Sequence, residues 1–137
     1  MLVEKSAGAV IFRKENKKIY YFLIQYGLGH WGFPRGLIEK KEKLEETAKR
    51  EIKEETGIED LKFLPGFKET IKYFFKFGGK NVLKFATYFL TETKEKKVLL
   101  SFEHKDFEWL PYKEALEKLT FKNSKEVLKK AHQFLRT

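Results

Sequence analysis

No cysteine occurs in the 137 residues, which excludes disulfides and removes thiolate zinc and iron–sulfur sites from consideration. Only three histidines are present, which argues against an imidazole metal cluster. Asparagine, glutamine and methionine are scarce while lysine and glutamate are abundant, a bias associated with hyperthermophilic proteins. There is no run of 18 apolar residues, so no membrane-spanning helix is expected. The N-terminal stretch MLVEKSAGAVIFRKE lacks the apolar core and small-residue cleavage site of a signal peptide. A soluble, cytoplasmic protein without a membrane partner is the expectation. With no linker or repeat, residues 1–137 read as a single domain.

What is present points to a packed core: 42% of residues are hydrophobic and 16% aromatic, and the length suffices to bury them. The net charge of +9 attracts polyanions such as nucleotides, polyphosphates or RNA. Because the basic bias runs through the whole composition, it selects no single partner. No feature of the sequence specifies an oligomeric state.

Along the chain, Ser6 to Arg13 and Ile19 to Tyr26 are β-rich runs joined by a polar segment, the pattern of a hairpin. Gly27 to Gly36 reads as a loop with an aromatic interior. Phe63 to Phe77 and Val82 to Thr91 are aromatic-rich strand patterns meeting at Gly78-Gly79, a turn. Phe107 to Leu110 is a short strand. Pro111 fits the first position of a helix over Tyr112 to Leu119, and a last helix runs from Asn123 or Ser124 to Leu135, with Val127, Leu128, Ala131 and Leu135 as its apolar face. An α/β fold with a mixed sheet flanked by helices is expected.

The segment Gly36 to Ile58, GLIEKKEKLEETAKREIKEETGI, carries the chemistry. Lys43 to Thr56 has no Pro or Gly, and Gly57 sits where a left-handed helix C-cap belongs. Leu44, Ala48 and Ile52 form an apolar stripe, while Glu51, Glu54 and Glu55 at i, i+3, i+4 converge on an adjoining face. Like charges so spaced repel, and a hard divalent cation reverses the sign of that repulsion. Magnesium, with manganese as the alternative, prefers oxygen ligands and commonly shares its shell with substrate phosphates. Arg50 can hold one of the carboxylates or contact a phosphate. Gly36 would let a backbone carbonyl approach the metal. Against this, a Glu-rich helix face in a chain with 18 glutamates is commonly a solvated surface.

The full spacing decides between them. Gly36, Glu42, Arg50, Glu51, Ile52, Glu54, Glu55, Gly57 and Ile58 fit G-x5-E-x7-R-E-U-x-E-E-x-G-U, with U aliphatic, at every position. This pattern resembles the signature of the Nudix hydrolases, which cleave nucleoside diphosphates linked to another moiety. The resemblance implies an α/β/α sandwich around a mixed sheet. SAGAVIFR, HWGFPRG, GFKETIKYFF, SFEHKDFEWL and LTFKNSKEVLKKAHQFL extend it over nearly the whole chain, toward the asymmetrical diadenosine tetraphosphate hydrolases, which form ATP and AMP.

On that resemblance, Glu51, Glu54, Glu55 and the Gly36 carbonyl match the magnesium-binding positions. Glu103 matches a further glutamate near the metals; taken alone it is a surface residue. Either Glu54 or Glu103 would deprotonate the attacking water. His30 and Arg35 match basic positions on the polyphosphate, where relatives more often have Lys at the position of Arg35. His30 could equally be a loop residue packed on Trp31, and Trp31 and Phe33 shape the loop. Lys80 matches a phosphate-contacting lysine and is otherwise a solvated hairpin residue. Tyr73 and Phe121 match adenine-stacking positions, although most aromatics are core. Three readings follow: a dinucleoside polyphosphate hydrolase, an enzyme acting on the RNA 5' end or on nucleoside triphosphates, and a non-catalytic nucleotide-binding module.

Overall fold

A computed structural model describes residues 1–137. The elements in chain order are β1 (Leu2–Glu15), β2 (Lys18–Tyr26), β3 (Trp31–Gly32), β4 (Arg35–Leu37), α1 (Leu44–Thr56), β5 (Lys62–Phe63), β6 (Glu69–Phe77), β7 (Lys80–Glu92), β8 (His104–Pro111), α2 (Tyr112–Lys118) and α3 (Lys122–Arg136). All strands join one mixed sheet. β1 runs parallel to β7, and the other pairings are antiparallel, with β8 against β2 and β6 against β7.

Each face of the sheet carries its own core, as strand alternation requires. On one face Val10, Phe12, Tyr21, Leu23, Tyr88 and Leu90 pack with Ala115 of α2 and with Val127, Leu128 and Ala131 of α3. On the other, Ala9, Ile11, Phe22 and Ile24 pack with Ile52 of α1 and Ile58. The result is the expected α/β/α arrangement. No helix is long and apolar enough to cross a membrane.

The first hairpin turns on Asn16 and Lys17, both with positive φ (51° and 68°), the two-residue geometry that matches strand twist. Lysine is a poor choice there, because a side chain in the left-handed region costs roughly 1–2 kcal/mol. Lys17→Gly is therefore expected to raise stability by about 1 kcal/mol, read as an increase in the thermal midpoint at unchanged activity.

Four expectations are adjusted. Gly27 to Gly36 is not loop throughout, since it contains β3 and the start of β4, which pair with β2 and β1. Phe63 to Phe77 is not one strand: Pro65, which has no N–H to donate, and Gly66, at φ 93°, loop the chain out between β5 and β6, which both pair with β7. Pro111 closes β8 and caps α2 instead of opening it. The last helix begins one residue earlier than expected, at Lys122. α1 ends as expected, with Gly57 at φ 77° and its N–H on the Lys53 carbonyl.

Candidate active site

β1 and β2 form a ladder only between Phe12–Tyr21 and Glu15–Lys18. Beyond Phe12 and Tyr21 they splay, and the segment after β2 fills the split. Trp31 and Gly32 pair with Gln25 and Ile24, then Arg35, Gly36 and Leu37 pair with Gly8, Ala7 and Ser6. The approach is close: a Cβ on Gly8 would lie 2.0 Å from the Pro34 carbonyl oxygen. Successive strand residues point to opposite faces, so the split is where the two faces of the sheet meet. Arg35 joins the side facing α3, and Gly36 meets α1.

At Gly36 the carboxylate of Glu51 lies against the backbone, where an added Cβ would fall 2.0 Å from the Glu51 Cδ. Beside it, all five N–H donors of Arg50 are occupied. Nε and Nη2 bind Glu42 at 2.7 and 3.0 Å, Nη1 binds Glu51 at 3.0 Å and Glu54 at 3.2 Å, and Nη2 also donates to the Leu37 carbonyl at 3.0 Å. Of the two roles open to Arg50, the geometry selects the holding of carboxylates. Its fork also pulls the Glu42 carboxyl down to about 2, helped by the Glu39 N–H. Glu42, a position of the motif without an assigned role, thus anchors the arginine that orders the others.

Glu55 behaves differently. It is buried, its Oε1 lies 3.2 Å from His104 Nε2, and its Oε2 has no hydrogen-bond partner. Burial, opposed by His104 and helped by the neighbouring Glu51, raises its carboxyl to about 7. Glu54 is exposed at the helix surface, its side chain 57% accessible. Glu51, Glu54 and Glu55 share the face of α1 that their spacing gives them, but no three carboxylate or imidazole side chains are gathered closely enough to hold an ion as they stand. The reason is competition: Arg50 draws Glu51 and Glu54 to its fork while Glu55 turns inward to His104. The donors nevertheless fit a hard divalent cation, since a buried carboxylate oxygen without a partner sits beside a second carboxylate in an all-oxygen set.

The Glu55 shift gives a sign for stability against pH. Between its ordinary value of 4.5 and about 7, the folded state holds a proton that the unfolded chain has released, so stability falls as pH rises through that window. At roughly 1.4 kcal/mol per unit, about 3 kcal/mol is lost above pH 7 in metal-free protein. Thermal melts from pH 5 to 8 in chelator should show this slope, Glu55→Gln should flatten it, and magnesium, which binds the ionised form, should oppose it.

Glu103 is exposed in the turn before β8, a turn held to α1 by Ser101 N–H on the Glu55 carbonyl at 3.1 Å. On the α3 side of the split lies a cleft of about 600 Å³ whose lining includes Tyr26, His30, Arg35, Tyr73, Lys84 and Phe121, with no acidic residue. Tyr73 and Lys84 are direct cross-strand partners. His30 stacks on Tyr26, ring centroids 4.7 Å apart, and not on Trp31; it also faces Phe121 at 5.2 Å. Burial and then Arg35 lower the His30 imidazole below its ordinary value. The Tyr26 hydroxyl donates to the Phe33 carbonyl, and Arg35 lies 5.8 Å from the Tyr26 ring centroid. Trp31 and Phe33 do shape the loop: Trp31 N–H donates to Thr120 Oγ1 at 2.8 Å, and Phe33 is buried against Tyr88.

Lys80 is not brought to this cleft. It lies at the β6–β7 turn opposite Phe77, beside Met1, Leu2 and Asn81. Lys84 lines the cleft four residues further along, its ammonium lowered by burial and then by Arg35. A signal for Lys84 exists in the sequence: it alone is charged in the alternating set Val82, Lys84, Ala86, Tyr88 and Leu90. Tyr26 and His104 carry no comparable signal, because their roles depend on partners distant in sequence.

A sheet split by a glycine-flanked segment, an arginine-ordered glutamate helix and an acid-free cleft are features of a phosphoanhydride hydrolase. Residues 3–131 match the NUDIX domain, and the chain belongs to the Nudix hydrolase family, whose reaction is cleavage of a nucleotide diphosphate linkage, generally with a divalent cation. The asymmetrical bis(5'-nucleosyl)-tetraphosphatase of Mus musculus is 36% identical over 143 residues, covering 96% of this chain and 95% of that protein. The RNA pyrophosphohydrolase of Nitratiruptor sp. is 31% identical, covering 84% of this chain and 81% of that protein. The crystal structure of a C. elegans Ap4A hydrolase binary complex superposes with a TM-score of 0.86 at 32% identity, covering 97% of this chain and 98% of that chain.

Proposed function

We propose that the chain hydrolyses diadenosine tetraphosphate to ATP and AMP, with magnesium as cofactor and manganese as its substitute. The observation that carries this reading is the cleft: aromatic rings from β6 and from the start of α3, cations on β4 and β7, and no carboxylate. Purine rings stack on aromatic faces at roughly 1–3 kcal/mol each, and an acid-free basic wall suits a polyphosphate. Tyr73 and Phe121 are assigned to adenine, and His30, Arg35 and Lys84 to the phosphate bridge.

Gly36, Glu51, Glu54 and Glu55 would hold the cation, which when bound neutralises phosphoryl charge and acidifies water. Glu54 or Glu103 takes a proton from the attacking water as its oxygen bonds in line to a bridge phosphorus. The P–O bond on the far side breaks and one nucleotide leaves. Arg35 offsets the charge that develops on the phosphoryl oxygens, and Arg50 keeps Glu51 and Glu54 in register.

A second reading is supported by the RNA pyrophosphohydrolase relative and by the net charge of +9: release of pyrophosphate from a 5'-triphosphorylated RNA, or the equivalent cleavage of a nucleoside triphosphate. A non-catalytic nucleotide-binding module has less support, since every motif carboxylate is retained. The test is product analysis with diadenosine tetraphosphate and magnesium. ATP plus AMP is expected, with label from isotopic water in one of them. Two ADP, or turnover only of triphosphorylated RNA, would overturn the assignment.

A further inference from the structure

His104 opens β8 with its side chain almost wholly enclosed, 4% exposed, and both ring nitrogens are engaged. Nδ1 lies 2.8 Å from Ser101 Oγ and Nε2 lies 3.2 Å from Glu55 Oε1. The ring edge packs on Tyr26 with centroids 5.0 Å apart. When the Ser101 hydroxyl donates to Nδ1, Nε2 carries the proton and donates to the carboxylate, an assignment that pairs both ring nitrogens.

This arrangement divides the two oxygens of Glu55. Oε1 is taken by the imidazole, and Oε2 is left buried without a partner. An unmatched buried carboxylate oxygen is costly, and a cation beside Glu51 would satisfy it. The same residues fasten the turn that carries Glu103. Leu99 N–H donates to the Thr56 carbonyl at 2.9 Å, Ser101 N–H to the Glu55 carbonyl at 3.1 Å, and His104 N–H to the Ser101 carbonyl at 3.2 Å.

We propose that His104, anchored by Ser101, is a positioning residue for the cation site: it captures Glu55 Oε1, so that Oε2 is the oxygen offered to the metal. Groups that orient a ligating side chain typically change metal affinity by about 10–100-fold when removed. The inference rests on the cation-dependent reading above, and its test separates the two.

Manganese binding to chelator-stripped protein at fixed pH, followed by electron paramagnetic resonance of the free ion, gives a readout independent of turnover. His104→Gln places an amide N–H where Nε2 stood and keeps the link to Glu55. His104→Asn keeps the reach to Ser101 and loses Glu55. The asparagine variant is expected to bind manganese roughly tenfold or more weakly, and the glutamine variant to recover most of the affinity, with similar thermal midpoints for the two. Equal affinity of both variants and the parent protein would overturn the role of His104 while leaving the cation site standing. Absence of manganese binding by the parent protein would overturn the cation site and this inference together.

Discussion

Glu54→Gln is expected to lower the rate of hydrolysis by roughly 10²–10⁴-fold, the range for a displaced general base, while the fold is retained. The side chain is 57% exposed and its one ionic partner is Arg50 at 3.2 Å, and an exposed pair of this kind contributes at most about 1 kcal/mol. Loss of activity would therefore be chemical and not structural. Glutamine keeps the volume and an oxygen for Arg50 but cannot accept the proton from water. Kinetics with diadenosine tetraphosphate and a thermal melt on the same preparation check both halves. Near-normal turnover would move the proton acceptor to Glu103, whose exposed turn is fastened to the end of α1.

Gly36→Ala should be nearly as damaging for a different reason. The new methyl group would sit 2.0 Å from Glu51 Cδ and 2.2 Å from its Oε1, so the flexible glutamate must swing aside, taking its oxygen from the site and weakening its bond to Arg50. Misplacement of a catalytic group by about 1 Å costs on the order of 10²-fold, and a loss of that size in kcat/KM is expected with folded protein by circular dichroism. Addition of magnesium should then raise the thermal midpoint less than in the parent protein, because stabilisation by a ligand grows with the logarithm of its affinity. An alanine variant with parental activity and parental response to magnesium would remove Glu51 from the site. The comparison also isolates Gly36 from Gly8, where the clash would be with the Pro34 backbone and would act on folding itself.

Much of the architecture is legible in order and spacing. The run Lys43 to Thr56 without Pro or Gly, closed by Gly57, specifies α1, because helix propensity and the left-handed cap are local. The β1–β2 and β6–β7 hairpins follow from alternation and from turn residues, which are local too. The motif from Gly36 to Ile58 identifies the family because its spacing expresses one helix and one close backbone approach. Phe63 to Phe77 was harder to read, since aromatic residues suit a strand throughout while the Pro65-Gly66 loop is imposed by pairing with β7.

The candidate site divides along the same line. The sequence by itself determined which residues could ligate a cation, that they lie on one helix, and that an arginine stands among them, because helical periodicity turns spacing into a shared face. Only the tertiary structure decided how those carboxylates are used. The Arg50 fork closes on Glu42 and Leu37 from outside the helix, the Glu55 side chain meets His104 of β8, and Lys84 reaches the cleft where Lys80 does not. The Arg50 fork closes within one stretch of the chain once the loop before α1 folds back on the helix. The meeting of Glu55 with His104 and the opening of the cleft depend instead on strand register and on the splay of β1 from β2, long-range geometry that no single stretch encodes.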